Sequence, residues 1–429
     1  MIKEYSTIDE ISGPLMLVSG LKGVGTGERA EVELKDGSVR SGTVLEINGD
    51  SALLQLRGSE GIDLNGSKVR FMGHAPELAV SGDMLGRIFD GEGRPIDGGA
   101  CLLAEKHIAF GGIPASPDMR EGPKEMITTG FSALDAMDPL LRGQRIPMMT
   151  FPGIENRAFV SRLARETVSS GDDFAVVFAA IGVSFEEAES FVQDFRRVGI
   201  LDRTVVFETL SDDPAAAQAE ALSTAMTAAE YLAFEKDLQV LFVMTDLTAW
   251  CEALREISSA RREARGNGFF PRYLRGELAS VFERAGRRSG KSGSVTFLPV
   301  MTLQDEDFSG TLPEIVNSVS DGRIVLSRGL ARKGIYPPVD VIRSCSRLKD
   351  SCIGPGRTRG DHADIARGLF LAYSRGVEAR GRAASAGDRY CAAFADEFEK
   401  SFLNQGRDGS RTMDETLDLG SELLKKLSK

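Results

Sequence analysis

Three stretches of this 429-residue chain are rich in apolar residues and stop at turn or capping residues. They are FAVVFAAIG (174–182), RTVVFET (203–209) and LQVLFVMTDLTAW (238–250). The first is apolar throughout and cannot keep one face in water, so it reads as a strand buried on both sides; the second reads as another strand and the third as a buried one. Between them lie helical stripes. SFEEAESFVQDFRRVG puts Ala188, Phe191, Val192 and Phe195 on one face, and 215–235 is a long alanine-rich helix. Strand, helix, strand, helix at this spacing leaves a mostly parallel sheet flanked by helices as the expected core. SVTFLPVM and GRIVLS supply later strands, and Ile146 to Phe151 an earlier one.

The two ends read differently. In AEVELKDGSVRSGTVLEINGDSALLQL, Val32 and Leu34 alternate with Glu31, Glu33 and Lys35. Asp36-Gly37 marks a hairpin turn because glycine accepts positive φ, and Val39–Ile47 and Ala52–Leu56 follow as strands. Short strands at this spacing predict a small β-barrel over residues 1–75. A Gly/Pro-rich loop at 83–99 leads away from it, and TTGFSALDAMDPLLRGQRIPMMTF predicts a short amphipathic helix before the next strand. Residues 76–350 are expected to form the α/β domain. From about Arg357 the strand signals cease, so 351–429 is expected to be helical.

Composition sets limits. The net charge of -11 opposes a non-specific nucleic-acid binder, which needs a basic face. Five scattered cysteines without a Cys-x-x-Cys pair, and only three histidines, predict no zinc site and a reducing compartment. The N-terminus is too polar for a signal peptide, and no apolar run reaches the ~18 residues that a membrane span needs. A cytoplasmic protein is the expectation, with any membrane association through a larger complex.

AGRRSGKS (285–292) fits a loose phosphate-loop pattern. A working loop, however, joins a strand to a helix N-terminus, where N–H groups and the helix dipole meet the phosphates. Here the expected order is helix, loop, strand, so the string reads as a solvated basic turn and Lys291 as a surface lysine. The correct context is TFPGIENRAFVSRLAR (150–165), but that turn carries Glu155-Asn156-Arg157. It offers no lysine for a β/γ-phosphate and no hydroxyl after it for Mg²⁺, and Glu155 would oppose anionic phosphates. Asp246 stands where an Mg²⁺-holding aspartate would, and is expected to cap the following helix instead.

Seven strings in order along the chain carry a resemblance: GDMLGRIFDGEGRPID (82–97), FAVVFAAIGV (174–183), CEALREISSARRE (251–263), VFERAGR (281–287), RKGIYPPVDV (332–341), SRLKD (346–350) and GPGRTRGDH (354–362). The chain resembles the non-catalytic B subunits of V/A-type rotary ATPases over nearly its whole length. The resemblance implies a β-barrel, a nucleotide-binding-like (RecA-like) α/β domain with a degenerate phosphate loop, and a helical bundle. It implies an alternating hexameric ring with catalytic A subunits, around a central shaft and held by a peripheral stalk. ATP or ADP with Mg would lie at the A–B interface and not be held tightly by this chain alone, the membrane would be reached only through a proton- or sodium-translocating sector, and no nucleic acid or resident metal is implied.

It also implies that Arg347 of the SRL string acts as an arginine finger in trans. A fixed planar charge supplied there speeds phosphoryl transfer by ~10³–10⁵, and lysine does not replace the fork. Arg343, Arg357 and Arg359 lie nearby in sequence. Tyr336 either stacks on a base or packs, and with Ser346 it is expected to contact an interface nucleotide. The chain departs from the family pattern at TFPGIENRAF, at NGFFPRYLRGELASV and at IRSCSRL, where only the Ser-Arg-Leu core is retained. Two other readings are an autonomous ATPase using Lys291 and Asp246, opposed by loop order, and a Rho-like nucleic-acid ring, opposed by the acidic charge.

Overall fold

A computed structural model describes residues 2–112, 114–169, 171, 173–261, 263, 270–382 and 385–427. The N-terminal strands are β1 (Lys3–Tyr5), β2 (Ile8–Ser12), β3 (Leu15–Val18), β4 (Arg29–Glu33), β5 (Val39–Asn48), β6 (Ser51–Leu56) and β7 (Lys68–Phe71). They pair antiparallel in the order β1-β7-β4-β5-β6-β3-β2 and form the expected small barrel. Period-2 alternation drives this: Ala52, Leu54 and Leu56 of β6 are buried while their neighbours are not. The same inner face carries Val32, Val44, Val69 and Phe71. The Asp36-Gly37 turn closes with Leu34 N–H donating to Ser38 O at 2.8 Å, and Gly37 takes φ +83°.

The central sheet comprises β8 (Ile88–Asp90), β9 (Met148–Thr150), β10 (Phe174–Val183), β11 (Thr204–Leu210), β12 (Gln239–Thr245), β13 (Ser294–Thr302), β14 (Gly322–Val325) and β15 (Cys345–Ser346). Its order is β15-β14-β9-β13-β12-β10-β11-β8, parallel except for the β14–β15 pair. The Gly/Pro-rich loop thus contains a strand, β8, that the sequence reading missed because only three residues carry it.

Helices α1 (Asn156–Ser169) and α2 (Phe185–Val198) cover one face of the sheet. The other face is covered by α3 (Ala215–Phe234), α4 (Leu247–Ala260), α5 (Leu274–Arg284) and α6 (Thr311–Val319). On the first face Phe178 meets Phe191 and Phe195, with ring centroids 4.6 and 5.1 Å away. On the second, Phe297 meets Phe242 at a tilt and Phe282 edge-on, with ring centroids 5.0 and 5.1 Å away. The short helix at Ala133–Met137 is buried on every side rather than amphipathic, because it sits between the sheet and the C-terminal bundle.

After α7 (Arg328–Arg332) and β15, the chain is helical: α8 (His362–Arg382), α9 (Ala386–Glu397), a wide turn of π-helix at Phe398–Leu403, and α10 (Met413–Leu427). The bundle shares its core with the α1/α2 face, where Phe398, Phe402 and Leu417 join Phe131 and Phe159. His362 is fully buried at the junction, its ring nitrogens 3.0 Å from Ala136 O and from Thr358 Oγ1. All five cysteines are free.

Candidate functional site: the phosphate turn and the exposed sheet edge

The strand–turn–helix context sits at β9, residues 151–155 and α1. Gly153 takes φ +88°, and Ile154 N–H donates to Phe151 O at 3.1 Å, which turns the chain into the helix. The charges of this turn have partners within the chain. The Glu155 carboxylate accepts from Arg407 Nη2 at 2.5 Å, and Arg157 Nε lies 3.0 Å from Asp194 Oδ2. One turn further, Arg162 is 4% exposed and points its guanidinium at the loop after the π-helix. It donates to Gly406 O at 3.0 Å, to Arg407 O at 3.3 Å and to Gly409 O, and lies 4.2 Å over the Phe131 ring.

Two crevices flank the turn. One, about 510 Å³, lies between Gly153, Gly334, Tyr336 and Asn404; the other, about 590 Å³, is lined by Arg157, Ser161, Arg165 and Arg197. Glu155, Tyr336 and Arg407 border both. Tyr336 is held through its backbone: its N–H donates to Asn404 Oδ1 at 3.2 Å and its carbonyl accepts from Gln405 N at 2.7 Å. Burial pushes its phenol up to about 12. The phenol is therefore neutral, and the residue is half-buried between the two crevices. The arginine lining escaped the sequence reading because its residues come from α1, α2 and residues 407–408, far apart in the chain.

Asp246 ends β12 and caps α4. Its Oδ1 accepts from Thr248 N at 2.6 Å, and its Oδ2 from Thr302 N at 3.2 Å and from Thr302 Oγ1. Burial raises its pKa while these donors hold it down. The carboxylate is thus engaged as a helix cap. Among the described residues no group of three or more His, Cys, Asp or Glu is placed to hold a metal ion.

AGRRSGKS runs out of α5 and into β13, the order expected for a turn and not for a phosphate loop. Yet it is less solvated than expected. Gly286–Arg288 form a short strand that pairs with Arg120–Glu121 and with β13. Arg287 bonds Glu125 at 3.0 Å, and Arg288 bonds Glu230 at 2.8 Å and lies 4.0 Å over the Phe234 ring. Lys291 is exposed.

Arg347 follows β15 at the edge of the sheet and is exposed. Its Nη1 donates to Ser320 O at 3.1 Å and its Nη2 to Asn317 O at 2.9 Å, so the fork rests on the C-terminal carbonyls of α6. These are neutral acceptors, the Asn317 carbonyl at the surface and that of Ser320 part-buried. Ser346 is different. It is 3% exposed, and its N–H donates to Asp138 Oδ1 at 3.0 Å while its hydroxyl accepts from Gln144 Nε2 at 2.9 Å. Contrary to expectation, Ser346 reaches no surface on which a nucleotide would lie. Arg343 is occupied by Glu306 at 2.9 Å, and Arg359 by Asp361 at 2.7 Å and Asp418 at 2.6 Å. Arg357 stands on an exposed turn closed by its N–H to Gly354 O at 3.1 Å.

Residues 130–346 match the model of the ATP synthase alpha/beta family nucleotide-binding domain. The chain belongs to that family. Residues 8–73 match the family's beta-barrel domain, and 351–429 match the C-terminal domain of V and A type ATP synthase. A solved structure, described as a unique ATP synthase subunit NeqB from Nanoarcheaum equitans, is 30% identical to this chain with a TM-score of 0.77. The match covers 96% of this chain and 99% of NeqB. Together these make the chain a V/A-type ATP synthase B-like subunit. Membership of the ATP synthase family places it in a multisubunit rotary complex and gives its central domain a nucleotide-binding ancestry. Among the described residues, no helix is long and apolar enough to cross a membrane.

Proposed function

We propose that this B-like subunit is the non-catalytic member of the rotary ring and completes the catalytic site of an adjacent A subunit with Arg347. The observation that carries this is an asymmetry. At the phosphate turn the chain has Glu155, Asn156 and Arg157, and its two charged residues pair internally. At the sheet edge Arg347 keeps an exposed fork on two neutral carbonyls. The turn thus lacks the lysine and hydroxyl of a phosphate loop, while the sheet edge presents an arginine that a neighbour would use. The division of labour has a barrel at 1–75, the α/β domain at 76–350 and the helical bundle at 351–429. ATP or ADP with Mg lies at the A–B interface, bordered on this side by Arg347; Tyr336 borders the crevices at the phosphate turn. Turnover there drives the shaft and translocates protons or sodium ions through the membrane sector, to which this subunit is peripheral on the cytoplasmic side.

Arg347→Ala tests the reading in the assembled complex. ATP turnover should fall roughly 10³-fold, the scale of an arginine supplied in trans, while ring assembly measured by native mass stays intact. Full turnover in an assembled mutant ring would refute the finger.

A further inference from the structure

β15 is only two residues long and sits at the sheet edge, paired through Gly322↔Ser346 and Arg323↔Cys345. So short a strand cannot by its own ladder hold a reacting side chain to a fraction of an ångström. What holds it comes from the segment before β9. Asp138 is 4% exposed and Gln144 is fully buried. Asp138 accepts the Ser346 N–H, and Gln144 donates to the Ser346 hydroxyl. Gln144 is itself oriented by Leu141 N–H, which donates to its Oε1 at 3.0 Å. On the other side, Arg347 N–H donates to Asp321 O at 2.9 Å. The Asp321 carboxylate is forked by Arg145, Nε to Oδ2 at 3.0 Å and Nη2 to Oδ1 at 2.9 Å.

We infer that Asp138 and Gln144 are positioning residues for the Arg347 finger, a role that rests on the finger reading above. Neither touches a nucleotide. They fix the backbone on which the guanidinium swings, so that its release from Asn317 O and Ser320 O is a side-chain rotation and not a movement of the strand. Buried bonds suit this: each is shielded from water, and losing one leaves a desolvated polar group that pushes the strand away. A displacement of about 1 Å at a phosphoryl-transfer site costs on the order of 10²-fold in rate.

The test is a mutant cycle in the assembled A–B complex: Gln144→Met, Asp138→Ala and Asp138→Asn, each alone and with Arg347→Ala. Gln144→Met and Asp138→Ala should each lower kcat by about tenfold or more with KM for Mg-ATP unchanged. Asp138→Asn keeps an oxygen acceptor for Ser346 N–H and should recover most of that loss. In the Arg347→Ala background none of the three should lower kcat further, because they act only through the finger. Normal kcat for Gln144→Met and Asp138→Ala, beside an impaired Arg347→Ala, would overturn the positioning role and leave the finger standing. Losses that multiply with that of Arg347→Ala would also overturn it. A fully active Arg347→Ala ring would remove the finger itself. If Gln144→Met fails to assemble, the Asp138→Ala and Asp138→Asn pair decides the question.

Discussion

Gly322 lies opposite Ser346 in the β14–β15 pair and takes φ +153°, a backbone conformation that side-chain-bearing residues rarely adopt. A Cβ built there would stand 2.2 Å from Cys345 O and 3.0 Å from Ser346 Cα. Both are backbone atoms, so no rotamer change relieves the contact. Real Cβ atoms essentially never come within 3.0 Å of another heavy atom, so in Gly322→Ala the Cys345 carbonyl must retreat by about 0.8 Å or more. That movement lies two residues before Arg347, and the buried bonds of Ser346 oppose it. The strained conformation should destabilise the fold by about 1–3 kcal/mol, and the displaced finger should lower turnover by on the order of 10²-fold. Steady-state ATP hydrolysis by the assembled complex reads the second effect, and a urea midpoint on the isolated chain reads the first. A Gly322→Ala complex with normal kcat would refute the reasoning, since the finger would then tolerate a shift that the geometry says it cannot avoid.

Two other outcomes are expected. Burial raises the Asp138 carboxyl to about 6, against Lys349 and the Ser346 N–H, from about 4 in an unfolded chain. The folded chain therefore binds this proton more tightly. Its contribution, up to about 3 kcal/mol, is complete below about pH 4 and is lost as pH rises through about 6. Between pH 4 and 7 the urea midpoint of the wild type should fall relative to Asp138→Asn, and parallel pH profiles would contradict this. Lys291→Ala should leave both complex turnover and stability unchanged, within about 0.5 kcal/mol; lost hydrolysis would return the AGRRSGKS loop to phosphate chemistry.

The buried strands were legible because short apolar, β-branched and aromatic runs bounded by turn signals favour strands, and β10 spans Phe174–Val183 where FAVVFAAIG predicts 174–182. The barrel hairpin was legible from Asp36-Gly37, and α3 from its composition. Short elements were not. β8, β15 and Gly286–Arg288 have two or three residues each, too few for any period, and are imposed by the partners beside them. At the proposed site, the SRL string singled out Arg347, whose role remains a proposal. Asp138 and Gln144 were not, because their bonds to Ser346 span about 200 residues of sequence and leave no local pattern. Ser346 was misread for the same reason: a serine beside a functional arginine looks exposed until its hydroxyl is seen to be taken.

Arg162, 4% exposed, joins the helix that leaves the phosphate turn to three carbonyls of the loop entering α10. In this chain the link between helix and bundle is thus a set of hydrogen bonds made by its own residues. A shift of the loop entering α10 is therefore felt at α1 through the Arg162 fork and the apolar core that the two share, with no ligand needed to carry it.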